Sequence, residues 1–311
     1  MSIAFVFPGQ GSQSVGMLAD LADRAEVVET FAEASEVLGY DLRQLVQEGF
    51  ADDLNQTHRT QPAMLAAGVA AWRVWQAEGG GQPALMAGHS LGEYTALVCS
   101  QALDFTTAVA LVEERGRLMQ EAVPVGEGAM AAVLGLADEQ VIAVCDASAQ
   151  GDVVQAVNFN SPGQVVIAGS KAAVGRAAAA AKEAGAKRAL LLPVSAPSHC
   201  DLMKPAAEKL GQLLTEIELR TPQVPVIHNV DVQSHDDVDA IRTALTDQLY
   251  RPVRWVESVQ KMAGEGATIL IECGPGKVLA GLTKRIEKSL VAYPFYDMAT
   301  LQKAMESLKG E

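Results

Sequence analysis

Pro83-Ala84-Leu85-Met86-Ala87-Gly88-His89-Ser90-Leu91-Gly92-Glu93 is the stretch whose reading decides the fold. A short apolar run stops abruptly at Gly88, and an amphipathic segment follows with apolar residues at Leu91, Tyr94, Leu97 and Val98. That pattern predicts a strand, a tight turn and a helix. Gly88 and Gly92 flank Ser90 in a G-x-S-x-G arrangement, the pattern of a nucleophile elbow. Glycine suits both flanks because strand and helix pass too close there to admit a Cβ. In such a turn the Ser90 Oγ stands exposed at the end of the sheet. The Leu91 amide and the positive end of the following helix are then placed to stabilise an oxyanion. The same residues also suit an ordinary helix-capping turn, and the pattern alone does not separate the two.

Working outward, residues 3–7 form a continuous apolar run suited to a buried parallel strand. Pro8-Gly9-Gln10-Gly11-Ser12-Gln13 breaks it, but Ser14 stands where a dinucleotide fingerprint needs glycine. From about 18 to 76 the pattern is helical, broken near Gly39-Tyr40 and Gly49, with Thr60-Gln61-Pro62 opening a long apolar helix through Trp75. Residues 105–122 predict another helix carrying Glu113-Glu114-Arg115-Gly116-Arg117. Past Pro124 the order becomes strand, helix, strand, strand, helix, strand, that of a ferredoxin-like unit. Helical segments return after Pro197, then a short strand at 225–230, a strand at 268–272 and a final helix at 277–286. Gly274-Pro275-Gly276-Lys277 lacks the Ser or Thr that a phosphate loop needs at 278, where Val278 stands. The expected fold is therefore α/β. An α/β-hydrolase-like large domain with a parallel sheet (1–123 and 197–311) carries an inserted ferredoxin-like small domain (124–196).

Composition narrows the function. Twenty-four Lys and Arg against 38 Asp and Glu give a net charge of −14, which opposes a general nucleic-acid or anionic-membrane surface. No run approaches the ~20 apolar residues of a membrane span, and no signal peptide is expected. The four cysteines are scattered without a C-x-x-C pair, so reduced thiols in a cytoplasmic protein are expected. His58, His228 and His235 have no partners at metal-ligand spacing.

A serine nucleophile needs a base. His199, in Pro197-Ser198-His199, falls where the inserted unit ends and the large unit resumes, so the fold can return it to Ser90. A histidine that merely caps the next helix is the competing reading. Arg115 could fork onto a carboxylate through two charge-assisted bonds, or pair on a helix surface with Glu113 or Glu114.

Four ordered stretches then coincide: residues 5–13, Gly88-His89-Ser90-Leu91-Gly92-Glu93-Tyr94, Pro197-Ser198-His199 and Glu272-Cys273-Gly274-Pro275-Gly276. Together they resemble the malonyl-CoA:acyl carrier protein transacylases of bacterial fatty acid synthesis, over essentially the whole chain. The resemblance implies that Ser90 takes the malonyl group from malonyl-CoA and that His199 is its general base. It implies that the Gln248 backbone carbonyl orients the imidazole, and that the Gln10 and Leu91 amides hold the oxyanion. Arg115 matches the arginine that binds the free malonyl carboxylate. His89 and Asn158 match positions lining the site, and Gln61 does so more weakly.

The resemblance further implies an acyltransferase with no permanently bound cofactor and no metal. Its partners are a coenzyme A thioester and acyl carrier protein, with neither nucleic acid nor membrane, and a monomer is expected. The carrier is acidic, so Lys182, Lys187, Arg188, Lys277, Lys284 and Arg285 are candidates for a local basic docking surface. Two alternatives stay open: a stand-alone acyltransferase of a polyketide pathway, and a serine hydrolase built on the same elbow.

Overall fold

The computed structural model of the chain describes residues 2–194 and 196–308. Met1, Ser195 and the last three residues of the expected domain ranges lie outside the described residues. Nine strands are present among them: β1 (Ile3–Phe7), β2 (Leu85–Gly88), β3 (Gly128–Leu134), β4 (Val154–Ser161), β5 (Gln164–Ser170), β6 (Arg188–Leu191), β7 (Val226–Ile227), β8 (Ile269–Cys273) and β9 (Val291–Phe295).

Five of them form one sheet in the order β7-β2-β1-β8-β9, with every neighbouring pair parallel. β1, β2 and β8 are buried along their whole length. Helices cover both faces of such a sheet, and for that reason these strands read as unbroken apolar runs rather than alternating ones. On one face the core is built around Phe5, Phe7, Trp72 and Trp75, with Phe5 packed edge-on against both indoles. Trp255, Val259 and Met262 belong to the core of the opposite face.

The other four strands form an antiparallel sheet in the order β4-β5-β3-β6. With helices Asp138–Ala149 and Lys171–Glu183 they give the ferredoxin-like arrangement expected from the sequence. Alternation along the strands splits its residues between two faces. Ala131, Val133, Val165 and Ile167 pack under the helices, while Met130, Val157, Val166 and Ala168 form a second cluster with Cys200. Backbone bonds join the two units: Phe159 donates to the Val253 carbonyl at 3.0 Å and Val253 to the Val157 carbonyl at 2.8 Å.

The structure corrects the expectation in two places. Residues 277–286 do not form the last helix. The helix Val278–Ile286 is followed by β9 and by the helix Met298–Leu308. Pro294 inside β9 masks it as a strand, but β9 is an edge strand, where a missing amide costs no ladder bond. The long apolar helix begins at Thr57 rather than Thr60, because the Gln56 carbonyl already accepts the Arg59 and Thr60 amides, both at 2.8 Å. Pro62 therefore sits in its second turn, held in a segment whose side chains are nearly all buried.

Candidate active site

The three turns that carry the site leave the carboxyl edge of the parallel sheet, the edge where α/β proteins place ligands. Gln10 follows β1, Ser90 follows β2, and Asn229 follows β7. The Ser90 turn is crowded into shape. A Cβ on Gly88 would lie 1.8 Å from the Gly92 carbonyl carbon, and one on Gly92 would lie 2.0 Å from the Phe7 oxygen. Ser90 itself has φ 51°, a left-handed backbone that costs a non-glycine residue about 1–3 kcal/mol and persists only where its surroundings over-determine it.

That backbone aims the Ser90 Oγ at the His199 Nε2, 2.8 Å away. The His199 Nδ1 lies 2.6 Å from the Gln248 backbone carbonyl. A carbonyl only accepts, so Nδ1 carries the proton and the Nε2 lone pair faces the hydroxyl. The imidazole is buried. Desolvation, reinforced by the nearby Arg115 cation, lowers its pKa to about 3 against the contrary pull of the Gln248 carbonyl. It is therefore a neutral proton acceptor throughout the physiological range. Together these groups can take a proton from the hydroxyl and return it to a leaving group.

Arg115, on the helix Phe105–Glu121, is 1% exposed. Its Nη1 donates to the Gln61 Oε1 at 2.8 Å and its Nη2 to the Gln248 Oε1 at 2.9 Å. The same Nη2 stands 3.4 Å from the Ser90 Oγ, and the guanidinium carbon lies 5.3 Å from the centre of the Tyr94 ring. The surface pairing with Glu113 or Glu114 does not occur at Arg115. Arg117, two residues on, makes it instead with Glu114 and Glu121. Among the described residues no carboxylate forms an ion pair with Arg115, and its Nε has no hydrogen-bond partner. A buried cation met only by neutral oxygens, two from amides and one from the Ser90 hydroxyl, is a site for an anion.

Seven of the nine residues expected from the sequence line one cavity of about 200 Å³: Gln10, His89, Ser90, Leu91, Arg115, Asn158 and His199, while Gln61 reaches it only through its bond to Arg115. Gln248 stands behind it, bonded to both His199 and Arg115. Among the described residues the Gln10 and Leu91 amides have no acceptor within the protein. His89 turns away from Ser90. Its Nε2 meets the Asn160 Oδ1 at 2.8 Å, its ring packs near Trp255, and burial lowers its pKa. The Asn158 side chain is buried with its Oδ1 unpartnered. The apolar wall is Met119, Met130, Val166 and Leu192. His58, His228 and His235 bond to Gln120, Glu93 and Asp231.

Sequence reading missed the support behind Ser90. The Asn229 Oδ1 accepts the Ser90 amide at 2.7 Å, and its Nδ2 donates to the Gly88 carbonyl at 2.7 Å. Glu93, fully buried, accepts from the Asn229 amide and meets the His228 Nδ1. The only sequence signals were Glu93 following the turn directly and Asn229 following a strand at the same sheet edge.

Residues 4–303 match the acyl transferase domain family. The malonyl CoA-acyl carrier protein transacylase of Escherichia coli (strain K12) is 60% identical over 304 residues, spanning 97% of this chain and 98% of that one. The chain belongs to this transacylase family. A crystal structure of an acyl carrier protein S-malonyltransferase from Vibrio cholerae is similar at 62% identity and a TM-score of 0.95, covering 97% of this chain and 99% of that one. A malonyl transacylase solved in complex with a type II polyketide synthase acyl carrier protein is similar at 59% identity and a TM-score of 0.98, covering 99% of this chain and 100% of that one. In family terms, the chain is an acyltransferase.

Proposed function

We propose that the enzyme moves the malonyl group from malonyl-CoA to the phosphopantetheine thiol of acyl carrier protein, supplying fatty acid synthesis. Malonyl-CoA enters the cavity with its carboxylate on Arg115. His199 takes the Ser90 hydroxyl proton as Oγ attacks the thioester carbonyl, and the oxyanion rests on the Gln10 and Leu91 amides. Collapse breaks the carbon–sulfur bond, His199 returns the proton to the coenzyme A thiolate, and a malonyl-serine ester remains. The carrier thiol then repeats the cycle in reverse, giving ping-pong kinetics. Gln248 orients His199 through its carbonyl and Arg115 through its side chain. His89 and Asn158 line the path of the thioester. Nucleophile, base and oxyanion donors all come from the chain, so thioester exchange needs no resident cofactor.

The observation that carries this reading is the juxtaposition of the Ser90–His199 pair with a buried arginine that has no counter-anion among the described residues. A hydrolase acting on neutral esters would have no use for that cation.

Residues 1–123 with 197–311 form the catalytic domain in this reading, and 124–196 a domain that roofs the cavity. The protein acts as a cytoplasmic monomer without nucleic-acid or membrane partners. No helix among the described residues is long and apolar enough to cross a membrane. The six basic residues nominated from the sequence are all exposed, and Arg285 reaches across to Gln164 of the small sheet. They form the carrier-docking surface.

The transacylase solved with a polyketide carrier favours a second reading, in which the carrier served belongs to a polyketide pathway. Incubation with malonyl-, acetyl- or methylmalonyl-CoA and holo carrier protein tests the proposal. Malonyl is expected on the carrier thiol in preference to acetyl. Release of free malonate at a comparable rate would make the enzyme a hydrolase. Comparing fatty acid and polyketide carriers separates the two pathways.

A further inference from the structure

The parallel ladder loses its backbone partner just where Ser90 needs one. β7 pairs with β2 in the register Met86↔Val226 and Ala87↔Ile227, and the Met86 amide donates to the Pro225 carbonyl at 2.9 Å. Two residues further, that register sets Asn229 opposite His89. A parallel rung there would run from the Ser90 amide to the Asn229 carbonyl and from the Asn229 amide to the Gly88 carbonyl. Both β2 groups are satisfied, but by the Asn229 side chain: Oδ1 accepts from the Ser90 amide and Nδ2 donates to the Gly88 carbonyl, each at 2.7 Å.

The carboxamide thus stands in for a peptide group, and the Asn229 backbone amide is released to Glu93, which it meets at 2.9 Å. The second Glu93 oxygen lies 2.8 Å from the His228 Nδ1. Glu93, His228 and Asn229 are all fully buried, so none of these bonds is diluted by water. On the other side of the turn the Ser90 carbonyl accepts from the Gln248 Nε2 and the Glu93 amide, each at 3.0 Å. Ser90 is therefore held at both its peptide groups while its φ stays left-handed.

We propose that Asn229 is a positioning residue for the nucleophile: its carboxamide forms the last rung of the β2–β7 ladder and fixes the backbone that aims the Ser90 Oγ at His199. The inference rests on Ser90 being the residue acylated in the proposed function. Asn229 touches neither substrate nor the reacting atoms, so its effect belongs in the rate per active site and not in substrate affinity.

Rapid-quench acylation of the full-length enzyme by malonyl-CoA, normalised to burst amplitude, reads that effect. For Asn229→Ala the rate constant per acylatable site falls about 100-fold, with KM for malonyl-CoA essentially unchanged. Inactivation by phenylmethylsulfonyl fluoride, which has no carboxylate for Arg115, slows by the same factor. Asn229→Asp keeps an acceptor for the Ser90 amide and recovers about tenfold of the loss, the worth of one hydrogen bond. If the alanine variant folds poorly, its burst amplitude drops and the aspartate variant carries the test against the unaltered enzyme.

Three results would overturn the proposal: an alanine variant as fast per site as the unaltered enzyme, a loss seen with malonyl-CoA but not with the sulfonyl fluoride, or an aspartate variant no faster than alanine. Failure of the unaltered enzyme to acylate at all would instead remove the reading of Ser90 itself.

Discussion

The two sides of the Ser90 turn are built on opposite principles. Behind the turn, Glu93 is a fully buried carboxylate whose oxygens are taken by the His228 imidazole and the Asn229 amide. In front of it, Arg115 is an equally buried cation that meets only neutral oxygens among the described residues, beside the unpartnered Gln10 and Leu91 amides and an unpartnered Asn158 oxygen. Buried polar groups are ordinarily satisfied, and orphans require an explanation. Behind the turn, Glu93 and Asn229 direct their bonds to the backbone that they hold in a strained state, and the one orphan there among the described residues is the His228 Nε2, on the far side of the ring from Glu93. The front is left incomplete because a ligand completes it.

Breaking the front should cost activity, and breaking the Glu93 anchor behind it should cost stability as well. The largest expected effect is His199→Ala, which removes the base facing the Ser90 hydroxyl and lowers malonyl transfer about 10⁴–10⁶-fold with little change in urea midpoint. Next comes Arg115→Ala. Truncating one partner of a buried charge pair costs about 2–5 kcal/mol, so malonyl transfer should fall roughly 30- to 4,000-fold. Acetyl-CoA, which lacks the carboxylate, should lose far less. Equal losses for both substrates in steady-state assays would contradict an anion site.

Behind the turn, Glu93→Ala strands the Asn229 amide and the His228 Nδ1 proton in a dry interior. Two unsatisfied donors predict about 2–6 kcal/mol of lost stability in urea unfolding. An unchanged midpoint would show that the back is not under tension.

The smallest effect is a pH dependence. Burial and Arg115 lower the His199 pKa to about 3, so the base stays in its active, neutral form well below its ordinary 6.5. The acylation rate should therefore stay flat from pH 8 to about pH 5. For stability the sign is that of a depressed folded-state pKa. The contribution is complete above 6.5 and is lost as pH falls toward 3, at up to about 1.4 kcal/mol per pH unit. An acid limb near pH 6.5 in single-turnover acylation would mean that the imidazole is not desolvated as described.

The same division explains what could be read from the chain. Ser90 was legible because steric crowding forces glycine on both sides of it, within the turn at Gly88 and against the neighbouring strand's Phe7 at Gly92, and the result is a short contiguous pattern. Parallel strands were legible because burial on both faces leaves unbroken apolar runs such as 3–7. The ferredoxin-like unit was legible in the order of its elements. Arg115 was ambiguous: its neighbours Glu113 and Glu114 offered a surface partner, and only packing shows that Arg117 takes that role. Asn229 left only its place after a strand, since a side chain replacing a ladder rung has no sequence signature of its own and its partners lie about 140 residues away. β9 was hidden by Pro294, whose acceptability depends on the strand being at an edge, a property of topology rather than sequence.

The central claim is that the Ser90 hydroxyl carries the acyl group. Intact-mass spectrometry after brief exposure to malonyl-CoA, followed by peptide mapping, tests it most directly. A single malonyl adduct is expected on the peptide containing Ser90 and should be absent from Ser90→Ala. An adduct that survives the substitution, or an unmodified enzyme that turns over malonyl-CoA, would contradict it.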